Sequence, residues 1–361
     1  MLPRREFITA TTAALAAAST AAAQTSPPKR IKIGQIGVGH AHASKLGVYR
    51  TSPDYEVVGI VEPDPLLREK AKSTDPFKDL PWMTQEQLLN LPGLEAVLVE
   101  TQVRDLLNTA EACVMAGKHI HLDKPAGESL SQFRRILQAA QRQKLLVQMG
   151  YMYRYNPGVV LLREFVDRGW LGDIFEVHTV MSKVVASADR VRFAEYRGGI
   201  LFELGCHVLD TVIKLLGKPA GVTAFAKHTS RIDDKLQDNM LAVLNYDRAI
   251  ATVKSTALEV DGFEGRRLTV CGTEGTFHIQ PLDNPKGRVA LTQPREASRS
   301  LPSNRDAGWK KGYQDVSLPK YTRYVDDAAD MAKILRGEKP SDFSYEHDLV
   351  VQETLLAACG L

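Results

Sequence analysis

The stretch IKIGQIGVGHAHASKLGVYR, residues 31–50, decides how the rest of the chain is read. Its first six residues form an apolar run of strand length, and Gly37 and Gly39 follow where such a strand would turn into a helix over 41–50. A glycine pair in that context allows a tight turn and brings main-chain N–H groups up to an anion at the helix N-terminus. His42 stands where the dinucleotide fingerprint has its third glycine. The loop Gly37, Gly39, His40, Ala41 and His42 is therefore a candidate pyrophosphate site. Glu62 ends the next apolar run, 55–61, at the distance where an acid accepts hydrogen bonds from an adenosine ribose. A carboxylate there repels a 2′-phosphate, and Pro63-Asp64 offers no arginine to hold one, so NAD is expected rather than NADP.

Strand and helix patterns alternate outward from that stretch. A helix over 66–73, a short strand near Trp82, a helix over 86–91 and a strand over 96–99 come first. A helix over 106–116, stopped at Gly117, and a strand over 119–122 follow. Such alternation calls for a parallel sheet covered by helices on both faces. Beyond Asn156-Pro157 and a helix to Arg168, the runs 174–181, 222–227, 240–246, 250–257 and 268–271 read as antiparallel strands. Tyr246-Asp247-Arg248-Ala249 is short enough for a hairpin link. One helix over 200–216, closed by Gly217, interrupts them; 283–320 reads as loop, and the chain is helical again from Tyr321.

The 361 residues suffice for two domains, and 44% hydrophobic with 25% charged residues is an ordinary globular composition. With net charge +3 and no basic run, neither a nucleic acid nor an anionic membrane is expected as partner. Arg4-Arg5-Glu6-Phe7-Ile8, a weakly apolar Ala/Thr run and Ala21-Ala22-Ala23 resemble a twin-arginine export signal over 1–23, followed by a linker over 24–30. The run is too short and too rich in Ala and Thr for a membrane span, so no stable anchor is expected after cleavage. Cys113, Cys206, Cys271 and Cys359 show neither disulfide nor metal spacing.

Two stretches carry chemistry. In HIHLDKPAG, residues 119–127, Pro125 keeps Lys124 out of a helix and holds it at the strand end. In Gly198-Gly199 through Asp210, a regular helix places Glu203 and His207 one turn apart, with Asp210 following on the same face. An acid that orients a histidine, beside a second acid, is a proton-transfer unit. The pairs His40/His42 and His119/His121 have metal-like spacing, but a site needs three or four ligands and none completes these, so no metal is expected.

Together, Gly117-Lys118-His119, Asp123-Lys124-Pro125, Arg154-Tyr155-Asn156-Pro157 and the stretch from Gly198 to Asp210 resemble the glucose-fructose oxidoreductase/inositol dehydrogenase (Gfo/Idh/MocA) family. The resemblance implies an α/β Rossmann domain, a doubly wound parallel sheet, over 31–150. An α+β domain with a large, open, mainly antiparallel sheet and C-terminal helices would fill 151–361, its open face building a homo-oligomer. It also implies hydride transfer between nicotinamide and a secondary alcohol carbon of a sugar or cyclitol. In that reading Lys124 binds the reacting hydroxyl and contacts cofactor, His207 is the general base or acid, and Glu203 supports His207 or the substrate. Arg154 and Asp210 bind substrate hydroxyls, and Thr101 and Asp123 contact the cofactor. The sequence departs from the pattern at His42, at Asp123 for Glu, at Glu203 for Asp, and at Thr101-Gln102-Val103 for Thr-Pro-Asn.

Export folded, with NAD loaded beforehand and retained, favours a closed redox cycle. The leading expectation is an exported NAD-dependent oxidoreductase acting on a sugar, cyclitol or polyol. Two alternatives stand beside it: a glycoside hydrolase that uses bound NAD through transient oxidation, elimination and re-reduction, and a non-catalytic sugar-binding protein.

Overall fold

The computed structural model describes residues 29–300 and 308–361. The export segment over 1–23 and most of the linker lie outside the described residues.

Strands β1 (Ile31–Ile36), β2 (Tyr55–Val61), β3 (Ala96–Val99), β4 (His119–Leu122) and β5 (Val147–Met149) form a parallel sheet in the order β2-β1-β3-β4-β5. Every residue of β3 is buried, as a strand covered on both faces requires. The connections run through α1 (Leu46–Thr51), α2 (Pro65–Ala71), α3 (Gln85–Leu89), α4 (Val103–Met115) and α5 (Leu130–Arg142). Asp64 caps α2, Thr84 and Gln87 close a capping box on α3, and Ser129 caps α5. Because β2 and β3 lie on opposite sides of β1, a crevice opens beyond Ile36 and Val99, where ligands of parallel sheets bind.

The first helix starts later than its periodicity suggests, with a single 3-10 turn at Ala43–Lys45 before α1. The His40 N–H is bonded to the Glu100 carbonyl and the His42 N–H to His40 Nδ1, so these residues are held in the loop. The strand expected near Trp82 is one bridge to Ile60.

The second half contains α6 (Pro157–Asp167), β6 (Ile174–Val180), α7 (Ser187–Ala194), α8 (Cys206–Leu216), β7 (Gly221–Lys227), β8 (Asn239–Asn245), β9 (Ile250–Thr256), a short α9 (Gly262–Gly265) and β10 (Arg267–Gly272). β11 (Gly275–Ile279), β12 (Gly287–Leu291), β13 (Gly312–Val316), α10 (Val325–Leu335) and α11 (Tyr345–Ala358) complete it. The eight strands run β13-β12-β11-β10-β6-β9-β8-β7, antiparallel at every pairing except β6 with β9. Buried and half-exposed positions alternate along β8, β9 and β11, so one face packs inward and the other stays open.

Three expectations need correction. Residues 283–320 contain β12 and β13, which were not legible because each is a five-residue strand set among glycine, proline and serine. The helix α7 was not anticipated. The helix over 200–216 opens with a π turn, Leu201–Gly205, before α8. In addition, α10 returns to the first sheet, where Ala328, Met331 and Ala332 pack with Ile33, Tyr55 and Leu98, and Tyr55 Oη donates to the Ala328 carbonyl (2.6 Å). Among the described residues no helix is long and apolar enough to cross a membrane.

Candidate functional site

The ends of β1, β3 and β4 bring Gly37, Glu100 and Asp123 to the crevice. Gly37 has φ +98°, and a Cβ there would lie 2.3 Å from the Thr101 nitrogen, so only glycine fits this turn. Asp123 is the hub. Its Oδ1 accepts from the Lys124 N–H (2.6 Å) and pairs with His42 Nδ1 (3.1 Å). Its Oδ2 accepts from Lys45 Nζ (2.8 Å) and lies 3.1 Å from His40 Nδ1. Lys45, itself buried, also reaches Glu100 Oε1 (2.9 Å) and His121 Nε2 (2.8 Å).

Burial disfavours both carboxylates of this cluster, yet they part company. His40 and Lys45 overcome burial at Asp123 and hold it well below the usual carboxylate range. At Glu100 burial and then the Asp123 charge push the carboxyl well up. Burial, and then Lys45, lower His121 to about 3, so it is a neutral acceptor for the lysine. Among the described residues Asp123 is fully buried and bonded to His42, Lys45 and the Lys124 N–H, so that it organises the loop.

Among the described residues, His40, His42 and Asp123 place three metal-capable atoms within 4.8 Å of one another, as do Asp210, His347 and Asp348. The acid that the histidine pair lacks in sequence is thus supplied by the fold. In the first trio the Lys45 ammonium, 2.8 Å from Asp123 Oδ2, already balances the carboxylate. His119 serves elsewhere, accepting the Leu146 N–H at 2.8 Å.

Lys124 follows β4 through a cis bond to Pro125. Its Nζ donates to Glu203 Oε1 (3.1 Å) and to the Glu203 carbonyl (2.9 Å). Burial works against the ammonium, but Glu203 outweighs it and the lysine is held above its ordinary pKa. The π turn at Leu201–Gly205 is what lets Glu203 offer both its carbonyl and its carboxylate to Lys124. The expected Glu203–His207–Asp210 unit on a regular helix is therefore corrected: Glu203 serves Lys124, and Asp210 turns to Arg154.

His207 is buried, with its ring 5.4 Å from that of Tyr153 and 5.7 Å from that of His42. Its Nδ1 has no hydrogen-bond partner among the described residues. Burial, then Lys124 and His42, hold its pKa well below the usual histidine value, so the ring is a neutral base. Burial lowers His42 as well, to about 4.

Arg154 and Asp210, read as substrate ligands, are spent on each other. Arg154 Nη2 donates to Asp210 Oδ1 and Asp348 Oδ1 (2.6 Å each), its Nε reaches both Asp210 oxygens (3.1 and 3.0 Å), and its guanidinium carbon lies 3.8 Å from the Phe343 ring centroid. His347 Nε2 joins Asp210 Oδ1 at 2.9 Å. The network is buried, and Asp210 is held down at about 2 because Arg154 and His347 outweigh its burial. It anchors α11 to α8.

The residues present fit a nicotinamide dinucleotide. A cleft of about 660 Å³, lined by Glu62, Asp64, Thr101, Gln102 and Arg104 among others, continues into a slit bounded by Gly39, Ala41, Arg192, Tyr196 and Glu203. Within the described residues the Gly39 and Ala41 N–H groups and the buried Thr101 Oγ1 have no partner. These are donors of the kind a pyrophosphate requires. Glu62 Oε2 accepts from the Val38 N–H (2.7 Å) and Oε1 from the Asp64 N–H (2.9 Å), which fixes the carboxylate and leaves lone pairs for ribose hydroxyls. Arg104–Glu195 (3.0 Å) and Arg197–Glu128 (3.1 Å) tie the α7 segment across the slit.

Comparison with known proteins agrees with this geometry. Residues 31–151 match the oxidoreductase family described by its NAD-binding Rossmann fold, and residues 159–278 match the GFO/IDH/MocA C-terminal domain. The chain belongs to the Gfo/Idh/MocA oxidoreductase family. Its relatives in that family include YdgJ, an uncharacterized oxidoreductase of Escherichia coli K12, 27% identical over 72% of this chain and 74% of that protein. The myo-inositol 2-dehydrogenase of Thermotoga maritima is 23% identical over 68% of this chain and 74% of its own length. Among solved structures, an oxidoreductase from Agrobacterium radiobacter in complex with NAD+, L-tartaric acid and magnesium has the same fold, with TM-score 0.75 over 91% of this chain and 95% of that one at 17% identity. As a Gfo/Idh/MocA member, the chain is an oxidoreductase with a nicotinamide-binding domain.

Sequence reasoning missed Lys45, Glu100, His121 and Arg192. Glu100 alone carried a legible signal, because an acid directly after an apolar strand of a parallel sheet stands at the ligand edge. The others depend on which loops meet.

Proposed function

We propose that the protein is an NAD-dependent dehydrogenase acting on a secondary hydroxyl of a sugar, cyclitol or related polyol. The observation that carries this is the pairing, at the crevice, of a cationic Lys124 with a neutral His207 whose Nδ1 is unpartnered. Lys124 holds the reacting oxygen and favours its alkoxide; His207 takes the hydroxyl proton in oxidation and returns it in reduction. Glu203 orients Lys124, and Tyr153 and His42 pack around His207. The nicotinamide, when bound, accepts or donates the hydride. The dehydrogenases of inositol and of trans-1,2-dihydrobenzene-1,2-diol among the relatives support the CH–OH assignment. Glu62, anchored at the ribose position, supports NAD over NADP.

Arg4-Arg5 and the Ala/Thr run support export through the twin-arginine route with the cofactor retained. Half-exposed Phe175, Phe225 and Ile250 on the open sheet support a homo-oligomer built there. The test is to purify the mature protein, extract and identify its nicotinamide, and offer sugars, polyols and aryl glycosides while following NADH absorbance and released aglycone. NADH formation or sugar interconversion is expected. Aglycone release without net redox change would replace this reading with an NAD-using glycoside hydrolase, and sugar binding without either would leave a binding protein.

A further inference from the structure

Lys183 follows Ser182, whose carbonyl accepts from Arg266; Arg266 shares Asp283 with Tyr153, whose ring lies 5.4 Å from that of His207. This cation therefore stands beside the reacting centre, and among the described residues it has no hydrogen-bond or ion-pair partner. It follows β6, and its N–H is bonded to the Thr256 carbonyl at 3.1 Å. On the other side Gly262 approaches so closely that a Cβ would lie 2.8 Å from Lys183 Cα, and Arg266 Nε donates to the Ser182 carbonyl at 3.2 Å. The backbone that carries this lysine is therefore gripped from two directions. The half-buried ammonium stands 5.3 Å from the Phe193 ring centroid and has neither hydrogen bond nor ion pair among the described residues. The charges acting on it are Glu203, Arg266, Lys124 and Arg192, and burial lowers its pKa.

Of those four only Glu203 is an anion, and it is already bonded to Lys124. Arg266 is matched by Asp283, which also pairs with Arg323. Arg192 lines the slit with Gly39 and Ala41, on the side fitted for a pyrophosphate. Positive charge is thus in surplus on the Lys124–His207 side, and Lys183 is the member of that surplus that nothing in the chain uses. A half-buried ammonium is costly without a counter-ion, so a rigidly mounted one beside a binding site calls for an anionic group on the ligand.

We propose that the substrate carries a carboxylate that pairs with Lys183, making it a polyhydroxylated acid, such as an aldonate or uronate, with its reacting carbinol at Lys124 and His207. The placement of the carbinol rests on the dehydrogenase reading; the anion rests on Lys183 alone. The test uses the NAD-loaded protein and a panel of aldonates and uronates, each paired with its neutral parent sugar, in calorimetric titrations and in steady-state NADH assays. At least one acid should bind about 10- to 100-fold more tightly than its parent, the range for one charge-assisted hydrogen bond. Lys183→Gln should remove that preference chiefly through KM, and Lys183→Arg should restore most of it. Equal or tighter binding of every neutral parent overturns the proposal, as does a preference that survives Lys183→Gln. Acid-selective binding that depends on Lys183 but produces no NADH keeps the proposal and sinks the dehydrogenase reading.

Discussion

Two buried charge clusters of the protein have opposite characters. Arg154, Asp210, Asp348 and His347 satisfy one another at 2.6–2.9 Å. At the other cluster, Glu203 binds Lys124, yet among the described residues His207 Nδ1 nearby and Thr101 Oγ1 along the cleft are left without partners. By residue type and spacing both clusters look like substrate machinery. What separates them is saturation: a closed network of matched charges holds helices in register, whereas an unmatched polar atom in a buried place awaits a ligand.

Breaking each cluster should give opposite phenotypes. Lys124→Ala is expected to lower kcat by about a thousandfold or more while bound nicotinamide changes little. Arg154→Ala strands two buried carboxylates and should cost about 3–5 kcal/mol of stability in denaturant titrations. A folded Arg154→Ala protein whose only defect is a raised KM would return Arg154 to the substrate site.

Acidification sharpens the same contrast. His42, His121 and His207 all have folded pKa values below the ordinary histidine value, with burial the first cause in each. Between the folded value, about 4 for His42, and the ordinary 6.5, the unfolded chain binds more protons than the folded one. Stability should therefore rise with pH through that window and fall on acidification, by an order of 3 kcal/mol for His42 alone. Melting temperatures across the window would check this, and His42→Asn should flatten the slope; a flat wild-type profile would mean that these rings are charged in the folded protein. The smallest effect is expected at Glu62: Glu62→Ala should narrow the preference for NAD over NADP by roughly tenfold, about 1.4 kcal/mol. An unchanged ratio of the two dissociation constants would remove Glu62 from cofactor choice.

The alternation of apolar runs made the first sheet legible, because a parallel strand buried on both faces leaves a continuous apolar word such as Ala96–Val99. β12 and β13 left no such word, since β12 alternates between buried and more exposed positions, β13 is exposed along most of its length, and their neighbours are turn formers. At the site, Gly37, Gly39, Glu62, Lys124 and His207 were legible because each is fixed by a local rule: a turn, a strand end or a helical face. The partners of Glu203 and Asp210 were not, because Lys124, Arg154 and His347 reach them from 79, 56 and 137 residues away in the chain.

What the sequence by itself determined is the strand-helix alternation of the first sheet, the glycine turn and the identity of the lysine and histidine, all of which rest on interactions within a few residues. Only the tertiary structure decided which charges cancel. Asp123 is claimed by Lys45 from 78 residues away, Glu203 by Lys124 from 79, and Arg154 by Asp348 from 194. Those pairings arise when the two sheets and the C-terminal helices pack together, and among the described residues they leave His207 Nδ1 without a partner.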